Sequence, residues 1–158
     1  MTIRARSDGA IELKTKTAVI VLDDIFTINE FEAPGPGEYE VSEVFSEVRD
    51  HVTHLHAEGI IVAAFNQTQR EITAQQLEDL ENVDIMLVTF GPATKEELEK
   101  IGKLIGSVEP RVVVLAGIQD AGTVEKIEGQ VPEKVESLKL TDRDLPDDEQ
   151  KVYLLMTK

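Results

Sequence analysis

The three histidines are the side chains with the clearest chemical potential in this 158-residue sequence. They are His51, His54 and His56, and the chain has no cysteine. In an extended strand His54 and His56 share a face, so their two imidazoles could chelate one metal ion. A zinc site usually needs three protein ligands, and the nearest further candidates are Glu58, across a turn, and His51, on the opposite parity. We therefore predict no metal, and keep a site at His54 and His56 as the alternative.

A run of carboxylates near the end of the sequence is the second candidate. The segment from Asp142 to Gln150 contains Asp142, Asp144, Asp147, Asp148 and Glu149. Such oxygen ligands suit calcium or magnesium, but the segment lacks the central Gly and the closing Glu spacing of an EF-hand. The pattern favours a solvated acidic loop.

Known catalytic motifs are missing from the sequence. The junction from Phe90 to Thr94 has no Gly-Lys-Ser/Thr, and neither Gly-x-Gly-x-x-Gly nor Gly-x-Ser-x-Gly occurs. Catalytic residues and a cofactor are therefore not expected.

Composition indicates one globular domain over residues 1–158. The chain is 41% hydrophobic and 30% charged, with a formal net charge of −15. A charge of that sign repels phosphate backbones, which argues against nucleic-acid binding. No apolar run reaches the roughly 18 residues of a membrane span, and Met1 to Arg6 leads into charge rather than into a signal-peptide core. We expect a cytoplasmic protein without membrane association.

The first half of the chain reads as strands. Period-two alternation, apolar runs and turn residues predict the segments Ile3–Arg6, Ile11–Lys14, Ala18–Leu22, Ile25–Ile28, Glu38–Phe45, and a hairpin of Val52–His56 with Ile60–Phe65 around Ala57–Gly59. The run Ala18–Leu22 predicts a strand covered on both faces. In Glu38–Phe45 we expect Tyr39, Val41 and Phe45 to face inward.

The second half alternates helices with strands. Thr73–Gln76 and Thr94–Glu97 each have the pattern of a capping box, which marks the start of a helix. After the second box, apolar residues recur at helical spacing: Leu98, Ile101, Ile105 and Val108. The remaining predicted elements are strands at Val83–Thr89, Arg111–Leu115, Val135–Leu140 and Val152–Met156, and a helix at Asp120–Glu128 with Val124 and Ile127 inward. The first two strands and the helix between them predict a parallel β-α-β unit.

The turn from Asn66 to Arg70 follows a predicted strand, where many α/β enzymes keep their reacting groups. Here the turn offers amides, a hydroxyl and the guanidinium of Arg70. No carboxylate or imidazole stands in it. The turn can bind a ligand but has no obvious acid, base or metal ligand.

Five segments in order resemble metal-dependent hydrolases of the metallo-β-lactamase fold, in the small branch similar to ascorbate-6-phosphate lactonase. They are Pro36–Val41 (PGEYEV), Ile72–Leu80 (ITAQQLEDL), Val83–Val88 (VDIMLV), Val108–Val114 (VEPRVVV) and the closing stretch from Lys139 to Pro146. The resemblance implies an αββα sandwich, here reduced on its amino-terminal side.

The same resemblance implies that the family's metal ligands are absent. The segment that should carry its His-x-His-x-Asp-His motif is too short and has no histidine, and His54-Leu55-His56 falls on the wrong element. Gln67 stands at the metal-bridging Asp, Arg70 at a His, and Gly117 where a later His would be.

These observations predict a metal-free, non-catalytic relative of such hydrolases that serves as a binding or oligomeric scaffold. Asn66, Gln67 and Arg70 are the candidate ligand-binding residues. The alternative is a residual metal-dependent hydrolase or lactonase with an unconventional site. Because the first half supplies strands without helices, one sheet lacks a cover, and we expect a homo-oligomer, most simply a twofold dimer.

Overall fold

The computed structural model describes residues 1–50, 52–66, 74–90, 94–118 and 121–157, leaving aside the side chains of Asn66, Gln76 and Ile127. The first strands are β1 (Thr2–Ala5), β2 (Ile11–Lys14), β3 (Val19–Leu22), β4 (Thr27–Ile28), β5 (Phe31–Glu32), β6 (Gly37–Val41), β7 (Val44–Val48), β8 (Val52–Ala57) and β9 (Ile60–Asn66). Next come α1 (Ala74–Glu78), β10 (Ile85–Thr89), α2 (Lys95–Val108), β11 (Val112–Ala116) and α3 (Ala121–Glu128). The chain closes with β12 (Glu133–Val135), β13 (Ser137–Lys139), a 3-10 turn (Asp142–Asp144) and β14 (Lys151–Leu155).

These strands form two sheets within the described residues. The first has the order β13-β1-β2-β3-β4-β5, and the second has the order β12-β14-β11-β10-β9-β8-β7-β6. In the second sheet β9, β10, β11, β14 and β12 run parallel, whereas β6 to β9 pair antiparallel. The predicted mixed α/β class and the parallel β-α-β unit are confirmed.

Two apolar cores hold the layers together. One lies between the sheets and includes Ile3, Leu13, Ile20, Leu55, Val62, Leu87 and Val114. The other lies between the second sheet and its helices and includes Ala63, Met86, Val88, Ile105, Val113 and Val124. Successive residues of β10 and β11 enter opposite cores because side chains alternate along a strand. Strands buried on both faces are continuously apolar, which explains the runs Ile85–Val88 and Val112–Ala116.

The helix α2 begins and ends as its sequence predicts. The Glu97 amide donates to Thr94 Oγ1 at 3.3 Å, and the Thr94 amide donates to Glu97 Oε2 at 2.8 Å. These reciprocal bonds satisfy amides that have no partner inside the helix. Ile105 is buried and Leu98 packs partly against the helix-side core. Glu109, left-handed at φ 52°, ends the helix just before Pro110. The other predicted capping box, Thr73–Gln76, begins outside the described residues.

A tight turn at Ser42 and Glu43 corrects the prediction of one strand over Glu38–Phe45. Both residues have positive φ, 50° and 65°, which matches the turn that joins twisted hairpin strands. The turn divides the segment into β6 and β7. Val44 is therefore buried, and Phe45, predicted inward, is 37% exposed. Tyr39 and Val41 do face inward in part, while Glu38 and Glu40 remain exposed on β6, the outer strand of the second sheet.

The predicted strand Val135–Leu140 is also two strands. Val135 of β12 pairs with Leu155 in the second sheet, whereas Leu138 of β13 pairs with Ile3 in the first. The chain thus crosses between the sheets at Glu136, a feature that residue periodicity alone does not reveal.

The outer face of the first sheet corrects the expectation that β3 is covered on both sides. Val19 and Val21 are only partly buried on that face, and no helix among the described residues packs over it. Polar groups stabilise it instead, since Arg4 Nη2 lies 2.8 Å from Glu12 Oε1. The described helices pack on the second sheet, so the sandwich is reduced on its amino-terminal side.

Arg111 anchors the acidic loop that follows β13. Its guanidinium donates to the carbonyls of Pro146 at 2.7 Å and Leu145 at 3.1 Å, and it lies 2.8 Å from Asp147 Oδ1. Asp144 accepts from the amide of Thr141 at 2.8 Å, a bond that lowers the pKa of this carboxyl group. These two carboxylates serve the local structure rather than a shared cation.

No helix in the described part of the chain is long and apolar enough to cross a membrane.

Glu128 gives a pH-dependent prediction about stability. Its Oε1 is buried without a hydrogen-bond partner among the described residues, and burial raises the pKa of the carboxyl group. It is also the last residue of α3, where the helix dipole disfavours a negative charge. We expect Glu128→Gln to increase the free energy of unfolding at pH 7 by about 0.5–1 kcal/mol.

The sign follows from proton linkage. A raised pKa in the folded state means that the charged carboxylate destabilises the fold above that pKa, and that this cost disappears as the pH falls through it. The advantage of Glu128→Gln should therefore shrink as the pH is lowered. Urea unfolding at several pH values measures the difference in free energy of unfolding between the variant and the unmodified chain. Glu125→Gln, at an exposed residue of the same helix, is the control. An advantage that grows towards acid pH would contradict the assignment.

Candidate functional site

A cleft opens between the two sheets at the edge where β9 and β10 end. Its volume is about 540 Å³. The first sheet and its loops contribute Gly9, Leu22, Asp23, Asp24, Phe26, Ala33, Gly35 and Pro36, and the second sheet contributes Val48, Arg49, Asp50, Val52, Thr53, Ala64, Phe65, Thr89 and Phe90. The cleft has the size of a small-molecule site, which is commonly between about 300 and 1,000 Å³.

Half of the six charged or hydroxyl side chains that line the cleft are carboxylates. Asp23, Asp24 and Asp50 are exposed at its wall, and Thr53 and Thr89 add half-buried hydroxyls. Each of these five residues lies near or just beyond one end of a strand, where the strand joins a loop. The described lining therefore accepts hydrogen bonds, and it suits a polar ligand rich in hydroxyl or amino groups.

Arg49 is the one cation among these lining residues, and other carboxylates already hold it. Its guanidinium donates to Glu47, and its Nη1 lies 2.8 Å from Asp79 Oδ2. The bond to Glu47 is the main cause that raises the pKa of Arg49. This pairing fixes the arginine between the end of β7 and the segment after α1, so it has a structural role at the rim of the cleft.

His54 and His56 share one face of β8, as predicted. His56 Nε2 lies 3.3 Å from His54 Nδ1, and the two rings meet edge to face with centroids 4.8 Å apart. Burial, followed by the proximity of His56, lowers the pKa of His54, so its imidazole is neutral at pH 7. His54 Nε2 is buried without a hydrogen-bond partner among the described residues.

The two histidines face away from the cleft. His54 is paired with Ala63 of β9, which belongs to the helix-side core, so both histidines lie on the helix side of the second sheet, and neither lines the cleft. Across the strand pair His54 is opposite Glu47, but Glu47 is bonded to Arg49. In the described part of the chain no three His, Cys, Asp or Glu side chains are grouped so as to hold a metal. The two histidines thus have the spacing of two metal ligands, but the described residues provide no third ligand beside them.

The predicted ligand-binding residues lie largely outside the described part of the chain. Gln67 and Arg70 are outside it, and so is His51, although its sequence neighbours Asp50 and Val52 both line the cleft. For Asn66 the backbone alone is described: it is the last residue of β9 and is paired with Thr89.

Gly117 sits at the end of β11 in a conformation that excludes a side chain. Its φ is 85°, and a Cβ atom placed on it would lie 1.9 Å from the carbonyl oxygen of Phe90. The Phe90 amide donates to the carbonyl of Ala116 at 2.8 Å, which fixes this close approach of the two backbones. A residue other than glycine would have to displace the end of β10 or of β11.

Comparison with solved structures decides the fold. The chain superimposes on the crystal structure of a protein from Thermotoga maritima, described as a candidate Zn-dependent hydrolase of the metallo-β-lactamase superfamily. The TM-score is 0.76 at 18% sequence identity, over 98% of each chain. This chain has the metallo-β-lactamase fold. No family model matches the sequence, and no curated protein matches it either.

The described residues of this metallo-β-lactamase fold do not fit a zinc site. Zinc is held by imidazole, thiolate and carboxylate ligands in tetrahedral sets. The described wall of the cleft has carboxylates but no imidazole, and Gly117 brings no side chain to the end of β11.

Sequence reasoning missed the aspartates of the cleft. Asp23 and Asp24 come directly after β3, and Asp50 comes shortly after β7. Their position after strand ends was a usable signal, but their convergence depends on how the two sheets stack.

The closeness of Gly117 to Phe90 leads to a stability prediction. We expect Gly117→Ala to lower the free energy of unfolding by roughly 2–4 kcal/mol, because a left-handed φ and a backbone clash both penalise the methyl group. The matched control is Gly9→Ala, since Gly9 has φ 91° but open space around its Cβ position. The control should cost only about 1 kcal/mol, the price of the left-handed conformation alone. Equal losses of unfolding free energy for Gly117→Ala and Gly9→Ala, measured by urea unfolding, would show that the backbone relieves the clash at no cost.

Proposed function

We propose that this chain is a non-catalytic, metal-free protein of the metallo-β-lactamase fold that binds a ligand in the cleft between its sheets. The observation that carries the proposal is Gly117. The resemblance to the ascorbate-6-phosphate lactonase branch assigns a metal-binding histidine to this position, and the backbone there has no room for any side chain. A histidine at this position would need a different course of the main chain at the ends of β10 and β11, which supports a site without this metal ligand.

The chemistry of the cleft supports binding rather than hydrolysis. Its described polar groups are exposed carboxylates and half-buried hydroxyls, and Arg49 is paired with Glu47 and Asp79. None of these is an imidazole that could act as general base near neutral pH. A ligand with several hydroxyl or amino groups would match this lining. Asn66, Gln67 and Arg70 would add amide and guanidinium donors for an acceptor on the same ligand.

The alternative is a residual metal-dependent hydrolase at His54 and His56. The observation in its favour is the 3.3 Å between His56 Nε2 and His54 Nδ1. Two nitrogens bound to one tetrahedral zinc at about 2.0–2.1 Å would lie about 3.3 Å apart. Such a site needs a third ligand and a substrate surface on the face of β8 that turns away from the cleft.

Metal analysis separates the two functions. We expect the protein, purified without chelator, to contain far less than one equivalent of zinc, manganese or iron, and to hydrolyse simple lactones no faster than buffer after these metals are added. Metal near one equivalent that is lost on Gln67→Ala would overturn the proposal. Metal that is kept in Gln67→Ala but lost in the double variant His54→Ala, His56→Ala would establish the alternative.

We also propose that the scaffold is a twofold homodimer. Phe45 and His56 form an exposed aromatic pair on the helix-side face of β7 and β8, with ring centroids 5.6 Å apart. This stretch of the face leaves a large apolar ring open to solvent, and a second copy would bury it.

Light scattering tests the dimer. We expect a particle of twice 17.5 kDa at micromolar concentration. Phe45→Ser should shift it towards the monomer, and Ile25→Ser, which changes another exposed apolar residue, should leave it unchanged. A 17.5 kDa particle for the unmodified chain would exclude the dimer.

A further inference from the structure

A second concave surface lies between α2 and α3, on the helical layer. This groove has a volume of about 930 Å³ and is lined by Lys95, Leu98, Glu99, Gly102, Lys103, Thr123 and Lys126. The α2 residues recur at helical spacing, so they form one stripe along that helix. The groove shares no lining residue with the cleft between the sheets.

The groove is basic in a strongly acidic protein. The whole chain has 16 basic and 31 acidic residues, yet the groove has three lysines and one glutamate. Lys95, Lys103 and Lys126 form no ion pair with a described residue, whereas Lys100 on the outer side of the same helix lies 3.6 Å from Glu96. Three ammonium groups along one groove produce a local positive potential that attracts anions.

The position of Lys95 strengthens this field. It is the first residue of α2, where the helix dipole is positive and a cation is unfavourable. An anion bound beside Lys95 would interact favourably with both charges. The lysine is thus placed at a cost to the free protein that a bound anion would offset.

The base of the groove is apolar and open. Leu98 packs partly against the helix-side core and also lines the groove. Gly102, in mid-helix, lines the groove without a side chain. A mid-helix glycine costs about 1 kcal/mol relative to alanine. The methylene stems of the lysines can extend this apolar base while their ammonium groups reach outward.

We propose that this groove binds a small amphipathic anion, in which an apolar body rests on Leu98 and Gly102 and a phosphate or carboxylate group meets the lysines. The volume matches a small-molecule ligand. The proposal does not depend on the function of the cleft, because the two surfaces are separate and opposite in charge.

Nuclear magnetic resonance titration of the isotope-labelled full chain tests the proposal, with phenyl phosphate as the probe and phenol as its uncharged match. We expect saturable shifts of the amides of α2 and α3 with phenyl phosphate and none with phenol. The double variant Lys103→Gln, Lys126→Gln should weaken binding about tenfold, because two favourable charge contacts are removed. The control Lys14→Gln, Lys134→Gln makes the same change in net charge at exposed sites on other elements and should bind within about twofold of the unmodified chain.

The alternative outcomes are distinct. No saturable shift, shifts confined to the cleft around Thr53 and Thr89, or equal weakening in the two double variants would each overturn the groove proposal. Lys95→Gln provides an independent check. It should weaken the binding of phenyl phosphate while leaving the thermal unfolding temperature of the protein unchanged or higher.

Discussion

The fold depends on the burial of β10 and β11 on both faces. Their residues alternate between the core shared by the two sheets and the core under the helices, so each strand joins both halves of the molecule. Parallel pairing then requires a crossover, and α2 is that crossover. The same constraint sets where chemistry can occur, because β9, β10 and β11 all end at one edge of the sheet. The cleft at that edge follows from the topology, whatever residues occupy it.

The sequence predicted the parts of the fold that local chemistry controls. The capping box at Thr94, the strand Ile11–Lys14 and the run Val112–Leu115 depend on neighbours in the chain, and the structure confirms them. The missed features depend on backbone conformation or on distant contacts. Ser42 and Glu43 turn the chain with positive φ although neither is glycine, and the crossing at Glu136 interrupts a segment whose alternation looks continuous.

Less of the candidate site than of the fold was predictable from the sequence, because the site depends on contacts between residues that are distant in the chain. The sequence resemblance alone shows that Gly117 has no side chain that could bind a metal. The reason that it must be glycine is the nearby carbonyl of Phe90, a contact between two strand ends. Likewise the pairing of Arg49 with Glu47 and Asp79 depends on β7 and the segment after α1 coming together, which residue spacing does not reveal.

The outer strand β6 has a consequence for how the second sheet behaves at its border. An edge strand has unpaired backbone groups that can template the addition of another chain. On β6 the exposed residues Glu38 and Glu40 alternate with the partly buried Tyr39 and Val41. If two copies met strand to strand in a twofold antiparallel arrangement, the glutamates of one would face those of the other on the same side of the joined sheet. Their repulsion opposes the growth of a continuous sheet from molecule to molecule across β6.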